Sequence, residues 1–495
     1  MMSDQVGVLI AFFIYLMSML LIGLIYYRKT ENLSDYVLGG RSLNGWVTAL
    51  SAQASDMSGW LLLGLPGYAY ASGLEAIWIA VGLGLGTYMN WKFIAKRLRK
   101  YTEAAGDSLT LSEYFQNRFH DSSHVLRVAS AIVIFVFFTI YTASGLVAGG
   151  KLFSTVFDIP YMTALTVGAL VVISYTFLGG FMAVCWTDFF QGLLMLVALI
   201  IVPYKAYVII GGMDGLVSGL TAVNPNTLNY MTSSVGESLS GISIISLLAW
   251  GLGYFGQPHI LTRFMAISSA NEIKKARRVA MVWVSISLVA ALVIGLVGRV
   301  FLNSGLAAGS EETVFMVMVG ELFPSLLAGF LLAAILAAIM STADSQLLVT
   351  SSALTEDIYR IFKKEAPEKE LLMVSRLSVV GVAIIAYIFA MNPQSSVLDL
   401  VSYAWAGFGA GFGPAVIMSL FWKRMNKNGA LAGIVVGGLT VLIWKQLSGG
   451  LFDLYEIVPG MIASFIAIYV SSLMSEAPSQ AVQNQFDSVT DLDAA

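Results

Sequence analysis

Long apolar runs recur along almost the whole chain, and they limit the fold more than any other feature of the sequence. A helix needs about 20 mostly apolar residues to cross a bilayer. The chain is 57% hydrophobic and 12% charged, with a mean hydropathy of +0.79, values outside the range of soluble domains. The pattern therefore predicts an all-α polytopic membrane protein. We expect thirteen spans, at about 6–27, 46–72, 75–94, 126–152, 160–178, 186–208, 240–260, 277–301, 322–350, 372–391, 398–422, 429–446 and 454–474.

The basic residues indicate how these spans are oriented. If the N-terminus lies outside and the spans alternate, all but four of the 27 Lys and Arg residues fall on the cytoplasmic side. The exceptions are Lys151, Lys205, Arg299 and Lys445. Membrane proteins carry such an excess of basic residues in their cytoplasmic loops. The sequence therefore predicts an external N-terminus and a cytoplasmic C-terminus.

Two of the spans contain breaks rich in polar residues, glycine and proline. The second span includes SDMSGWLLLGLPG, residues 55–67, and the seventh includes WGLGYFGQPH, residues 250–259. A single break can be a tolerated kink in a membrane helix. Two breaks that lie five spans apart favour an inverted repeat of five helices, which is typical of secondary transporters.

The repeat divides the chain into five parts. Unwound backbone inside the membrane exposes carbonyl and amide groups that can bind an ion and a solute, so we expect the functional site at the two breaks. The polar, acidic C-terminal end is expected to be disordered. The expected parts are the first helix with a cytoplasmic loop in 1–45, repeat 1 with spans 2–6 in 46–210, repeat 2 with spans 7–11 in 211–425, peripheral spans 12 and 13 in 426–474, and the cytoplasmic tail in 475–495.

Composition also argues against several classes of protein. A net charge of −3 argues against nucleic acid as a partner. The single cysteine, Cys185, cannot form an internal disulfide or a multi-cysteine metal site. The three histidines are too scattered for a haem or metal relay, and phosphate-loop, zinc and nucleophile-elbow motifs are missing from the sequence. We therefore expect no enzyme activity, no organic cofactor and no metal other than a coupling ion.

Three acidic residues lie in predicted spans. Asp56 falls near the middle of span 2, where a charge costs about 2.5–3.5 kcal/mol on insertion scales, so it either binds a cation or bonds to unwound backbone. Asp188 lies near the start of span 6, where it could cap the helix or lie on an inward cation path. The orientation of Asp344 in span 9 stays open.

Span 9 carries a stripe of small and hydroxyl-bearing residues. Ala338, Ser341, Thr342 and Ser345 follow the i, i+3, i+4, i+7 spacing of one helix face. Such residues either permit close helix packing or supply the oxygen ligands that a hard cation such as Na⁺ prefers. Beside an unwound span that carries Asp56, we favour the cation site.

Aromatic residues flank both breaks. Trp60 lies within the first break, and Trp250 and Tyr254 lie within the second. Together with Tyr141 in FFTIYTASG of span 4, they could enclose a small amphipathic solute. Packing or interface anchoring is the alternative role, and for aromatic residues in membrane spans it is the more common one.

Seven segments along nearly the whole chain resemble the sodium/solute symporter family, and in particular its bacterial sodium/proline symporters. Those typical of the proline branch are DYVLGGRSL, TALSAQASDMSGWLLLGLPG and WGLGYFGQPHILTRFMA. Those that fit the wider family are FFTIYTASG, FLGGFMAVCWTD, ILAAIMSTADSQLLVTSSALTEDIYR and SYAWAGFGAGFGPA. The resemblance implies a leucine-transporter-like core of five plus five helices, with broken helices 2 and 7.

The resemblance also implies roles for single residues. In this family the cation site is built from the unwound second span and from the ninth, with acids in spans 2 and 6 linked to the cation. The implied sodium-binding residues are Ala54, Asp56, Met57, Ala338, Ser341, Thr342 and Asp188. The implied substrate-binding residues are Ser58, Gly59, Trp60, Tyr141, Trp250, Tyr254 and Pro258. Some proline symporters lack an acid at the position of Asp344, which leaves open an extra cation ligand.

These observations predict a sodium-coupled symporter that imports L-proline across the bacterial cytoplasmic membrane by alternating access. The alternative is a symporter of the same family for another small solute, such as a different amino acid, a carboxylate or a sugar. A membrane sensor fits less well, because the short tail carries no output domain. The expected partners are Na⁺, L-proline and the lipid bilayer, and we expect the monomer to be functional.

Overall fold

The computed structural model describes residues 2–27, 33–176 and 180–494, and within these ranges the chain forms helices and only isolated β-bridges. We number the α-helices in chain order. The first eleven are α1 Met2–Tyr27, α2 Leu33–Leu38, α3 Gly45–Asp56, α4 Leu65–Ser72, α5 Ile77–Met89, α6 Ala95–Ala104, α7 Leu111–Arg118, α8 Val125–Phe157, α9 Tyr161–Thr176, α10 Phe181–Ile209 and α11 Gly212–Val223. The others are α12 Gly241–Leu248, α13 Pro258–Ala266, α14 Ile273–Phe301, α15 Val314–Leu322, α16 Ser325–Ser352, α17 Arg360–Phe362, α18 Glu368–Ala390, α19 Val397–Phe421, α20 Lys427–Trp444, α21 Ile457–Met474 and α22 Gln480–Ala494.

The described part of the chain contains ten helical stretches that are long and apolar enough to cross a membrane. Two shorter apolar stretches, Tyr161–Ser174 and Gly241–Gly256, accompany them. The predicted all-α membrane architecture is therefore confirmed. The last residues of predicted span 5 and the first three of FLGGFMAVCWTD lie outside the described residues.

The first interruption lies between α3 and α4. α3 ends at Asp56, and the chain leaves helical geometry at Met57, which has ψ 77°. A π-helical turn, Trp60–Gly64, follows, and α4 then begins with proline in its first turn. Because the last carbonyl groups of a helix have no partner within it, the end of α3 presents backbone oxygen atoms to its neighbours.

The second interruption is longer. Residues Ala249–Gly256 form 3-10 turns between α12 and α13, and Gln257 is extended. A Cβ atom on Gly251 would lie 2.0 Å from the Gly82 carbonyl oxygen, and one on Gly253 would lie 1.8 Å from Trp405 Nε1. Only glycine fits at these two positions, so the backbone of the interruption lies directly against α5 and α19.

The helices around the two interruptions form a common core. α3 packs against α10, α13, α14 and α16, and α19 packs against α8 and the second interruption. α1 lies against α10 and α16, while α20 and α21 pack against each other and against α19. The two interruptions consequently face one another in the interior.

The C-terminal residues form a helix, so the prediction that this tail is disordered is wrong. α22 lies against α6, with the Phe486 ring centroid 6.4 Å from that of Tyr101. Asp487 pairs with Lys423 at 2.6 Å. The polar composition of this segment concealed a narrow apolar face, which α6 and its neighbours cover.

Candidate functional site

Asp56 joins the two interruptions. Its fully buried Oδ2 accepts a hydrogen bond of 2.7 Å from the Tyr254 hydroxyl, which belongs to the second interruption. Its backbone carbonyl accepts three more, from Trp60 Nε1 at 3.1 Å, from the Tyr141 hydroxyl at 3.2 Å and from the Ser58 amide at 3.0 Å. Oδ1 has no donor among the described residues. One carboxylate oxygen thus fixes the second interruption, while the other is available to a cation.

Oxygen atoms of α16 lie against the end of α3. The Ser341 hydroxyl donates to the Ala54 carbonyl at 2.8 Å and lies 3.3 Å from the Ala338 carbonyl. The Thr342 hydroxyl is buried and lacks a hydrogen-bond partner within the described ranges. Met57, the residue directly after α3, is buried as well. Carbonyl and hydroxyl oxygen atoms from two helices therefore come together, and such ligands suit a hard cation.

Asp188 lies two turns inside α10, so the alternative that it caps the helix is wrong. The helix begins at Phe181, earlier than the hydropathy pattern indicated. Asp188 Oδ2 accepts from the Ser51 hydroxyl at 2.7 Å and pairs with Arg263 at 3.1 Å, and both charged side chains are fully buried. The orientation of the basic residues places Arg263 in a cytoplasmic loop. An acid inside the membrane needs a partner, and Asp188 was therefore the signal that could have identified Arg263 as a buried residue.

Two serines connect this ion pair to the contact between α3 and α16. Ser345 donates to the Ser341 carbonyl at 2.8 Å and accepts from Arg263. Arg263 Nε also donates to the Ser51 hydroxyl at 3.1 Å. A continuous buried polar path consequently leads from the end of α3 to Asp188.

The four aromatic residues singled out from the sequence come together at the interruptions. The ring centroids of Trp60 and Trp250 are 6.4 Å apart, and Tyr141 and Tyr254 both bond to Asp56. All four aromatic side chains are buried. They form an apolar wall beside the polar end of α3.

Two further aromatic residues complete this wall. Trp405 of α19 donates from Nε1 to the Trp250 carbonyl at 2.7 Å, and its ring meets that of Tyr254 edge-on at 5.0 Å. Tyr455 stacks on the Trp250 ring at 5.7 Å. The glycine-rich segment around Trp405 could have pointed to it, whereas no sequence pattern marks Tyr455.

The remaining substrate-site residues border the same region. The Ser58 amide donates to the Asp56 carbonyl at 3.0 Å, so it is not one of the free amide groups that the first break was expected to expose. A Cβ atom on Gly59 would lie 2.9 Å from the Ala148 Cβ, which indicates a close approach to α8. Pro258 is buried at the start of α13.

Asp344 faces the interior of the protein. It is fully buried in α16, one helical turn after Met340 and therefore on the same side of the helix. The Tyr15 hydroxyl donates to the Met340 sulfur at 3.8 Å and accepts from Gln191 at 2.9 Å. The orientation that the sequence left open is therefore toward α1 and α10.

Comparisons with known proteins add the evolutionary context. The profile of the sodium:solute symporter family matches residues 36–437. The high-affinity proline transporter of Bacillus subtilis is 51% identical over 96% of this chain and 99% of its own length. The sodium/proline symporter of Escherichia coli is 50% identical over 98% of this chain and 96% of its own. A solved structure of a Na⁺-coupled sialic acid symporter shares the fold, with a TM-score of 0.78 at 23% identity over 96% of this chain and 99% of that chain.

Proposed function

The chain belongs to the sodium:solute symporter family, and we propose that it imports L-proline together with Na⁺ across the bacterial cytoplasmic membrane. It is a transporter and not an enzyme. The observation that carries the proposal is the near-full-length likeness to two transporters named for proline. These relatives do not favour the alternative of another small solute.

We assign the sodium ion to the space between the end of α3 and the middle of α16. The carbonyl groups of Ala54, Met57 and Ala338 and the hydroxyl groups of Ser341 and Thr342 would supply its ligands. The 2.8 Å contact between the Ser341 hydroxyl and the Ala54 carbonyl supports this assignment, because it holds oxygen atoms of both helices side by side. The unbonded Thr342 hydroxyl offers a further ligand.

The two acids act at different points of the cation path. Asp56 attracts the ion to the end of α3. Its hydrogen bond to Tyr254 transmits the effect of ion binding to the second interruption. Asp188 accepts the ion on its way to the cytoplasm, at the far end of the polar path through Ser51 and Ser345.

Proline would bind between the interruptions. Trp60, Tyr141, Trp250 and Tyr254 enclose its ring, and attraction between its ammonium group and the aromatic faces contributes about 0.5–2 kcal/mol. The carboxylate is received at Gly59 and the Ser58 hydroxyl, where the backbone turns into the next helical segment. Pro258 borders the pocket by fixing the start of α13.

The architecture that we propose has thirteen spans, with inverted repeats in 46–210 and 211–425 and broken spans 2 and 7. The N-terminus lies outside, α22 lies on the cytoplasmic face, and the monomer is functional. One Na⁺ that enters through a 100 mV potential and a tenfold gradient supplies about 2.3 plus about 1.4 kcal/mol, enough for roughly 500-fold accumulation.

Uptake of radiolabelled proline into proteoliposomes tests this function. Proteoliposomes that contain the purified protein should accumulate proline when an inward Na⁺ gradient is imposed, and the accumulation should stop when K⁺ replaces Na⁺. Protein-free liposomes are the control. Accumulation that K⁺ drives equally well would contradict the sodium coupling. Displacement of Na⁺-dependent binding by a sugar or a carboxylate, but not by proline, would contradict the solute.

A further inference from the structure

Tyr455 lies in the short connection between α20 and α21, outside both proposed repeats. The connection is fastened to the end of α20 on either side of this residue. Trp444 Nε1 donates to the Leu454 carbonyl at 2.9 Å, and Lys445 pairs with Glu456 at 3.5 Å. In the proposed topology this connection lies on the outer face of the membrane.

Three contacts hold Tyr455 against the elements that frame the second interruption. Its amide donates to the Ser246 hydroxyl of α12 at 3.0 Å, and its hydroxyl donates to the Ser402 carbonyl of α19 at 2.6 Å. Its ring stacks on that of Trp250, with 5.7 Å between centroids and 30° between planes. Backbone, ring and hydroxyl are therefore each fixed, and the residue that the ring covers is Trp250.

Trp250 is the middle member of an aromatic column. Tyr455 is partly buried, Trp250 is 6% exposed and Trp60 is 1% exposed, so the column runs inward from the outer connection to the first interruption. The bond from Trp405 goes to the Trp250 backbone and does not involve its ring. The ring is held by its two aromatic neighbours, of which Tyr455 is the outer one.

We propose that Tyr455 is a positioning residue for solute binding, which holds the Trp250 ring over the solute and closes the outer end of the aromatic column. A connection outside both proposed repeats thereby influences the affinity for the solute. The inference rests on the proposed role of Trp250 in the proline site. An aromatic pair of this kind changes an equilibrium constant by a factor of about 2 to 12.

Two substitutions separate the ring from the hydroxyl. Tyr455→Leu should raise the proline concentration for half-maximal uptake about fivefold, with little change in maximal rate or in the Na⁺ requirement at saturating proline. Tyr455→Phe keeps the ring and should stay close to the wild type, which also shows that the position tolerates substitution. Tyr469→Leu is the matched control, because Tyr469 stacks on Trp422 at 5.3 Å in α21, away from the site.

A second measurement does not depend on proline transport. In a Cys185→Ser background, a cysteine introduced by Trp60→Cys reports access to the inner end of the column. A membrane-impermeant maleimide added from outside should label it severalfold faster when Tyr455→Leu is also present, and not when Tyr469→Leu is present.

The outcomes separate the two proposals. An unchanged proline requirement in Tyr455→Leu, or an equal effect of Tyr469→Leu, would overturn the role of Tyr455. If the wild type shows no Na⁺-dependent proline uptake while labelling still responds to Tyr455→Leu alone, the proposed solute fails and the closure of the column by Tyr455 stands.

Discussion

The two interruptions differ in construction, although both break a helix inside the membrane. The first is short and ends at a carboxylate, and its backbone oxygen atoms meet the hydroxyl groups of α16. The second covers eight residues of 3-10 turns, and its neighbours are aromatic rings and closely approaching backbone. A side-chain hydrogen bond from Tyr254 to Asp56 and the contact between the Trp60 and Trp250 rings join them.

This difference indicates that the two interruptions bind different ligands. Oxygen atoms fixed at a helix end suit a small hard cation, whereas a long aromatic segment suits the ring of a solute. At the first interruption, changes to the oxygen atoms at the end of α3 should therefore alter the Na⁺ requirement before the proline requirement. Changes at the second should do the reverse, and a variant that alters both equally would break the comparison.

The largest effect is expected for Asp56→Asn. The substitution keeps the shape and an acceptor for Tyr254 but removes the charge of a fully buried carboxylate, so the Na⁺ concentration for half-maximal uptake should rise at least about tenfold, which corresponds to about 1.4 kcal/mol. Uptake measured across a series of Na⁺ concentrations checks this. Asp214→Asn, at an exposed carboxylate of α11, is the control. An unchanged Na⁺ dependence would mean that Asp56 is purely structural.

Trp250→Ala should act at the second interruption. Loss of the ring should raise the half-saturating proline concentration about tenfold, while Na⁺ binding measured without proline stays nearly intact. The bulkier ring of pipecolate should compete better relative to proline. Trp46→Ala, at a half-exposed tryptophan of α3, is the control. Normal proline binding by Trp250→Ala would remove the aromatic wall from the solute site.

Gly86→Ala tests the backbone contact behind the second interruption. A Cβ atom on Gly86 would lie 2.1 Å from the Gly251 carbonyl oxygen, whereas one on Gly84 meets nothing within 4 Å. The interruption must shift to admit the methyl group, and we expect proline affinity to fall about fivefold, which matches a modest overpacking cost. Gly84→Ala should bind proline as the wild type does. Equal effects of both variants would point to helix propensity instead.

The sequence was informative where the signal is local. Apolar runs give the membrane helices, and the clusters of glycine and proline lie where the regular helix ends, because both signals are carried by neighbouring residues. Asp56, Trp60 and Tyr254 stood out since they lie inside or beside those clusters. Helical spacing led to Ala338, Ser341 and Thr342 in α16, whereas Ala54 and Met57 came only from the resemblance to the symporter family.

The partners that come from distant parts of the chain could not be found in this way. Arg263 read as one more basic residue of a cytoplasmic loop, although it is buried against Asp188. Tyr455 belongs to a connection whose length and composition are ordinary, and only packing brings it to Trp250. The prediction of a disordered tail was wrong for a related reason. α22 packs against the surface of α6, and the mean composition of the segment does not reveal this contact.

The smallest effect is expected for the hydroxyl groups of α16, and it is the most specific test of the first interruption. Ser341→Ala and Thr342→Ala each remove one of several proposed oxygen ligands, so Na⁺ affinity should fall about threefold, as for a single neutral hydrogen bond. Because coupling between two ligands is reciprocal, proline affinity should fall only at subsaturating Na⁺ and should recover when Na⁺ is raised. Ser351→Ala removes a buried hydroxyl from the same helix, where it bonds to the Leu348 carbonyl, and should change neither affinity. Proline binding titrated at low and at saturating Na⁺ distinguishes the cases. A loss of proline affinity that persists at saturating Na⁺ would identify a packing defect between α3 and α16, and the contact from Ser341 to Ala54 would then be structural and not a cation site.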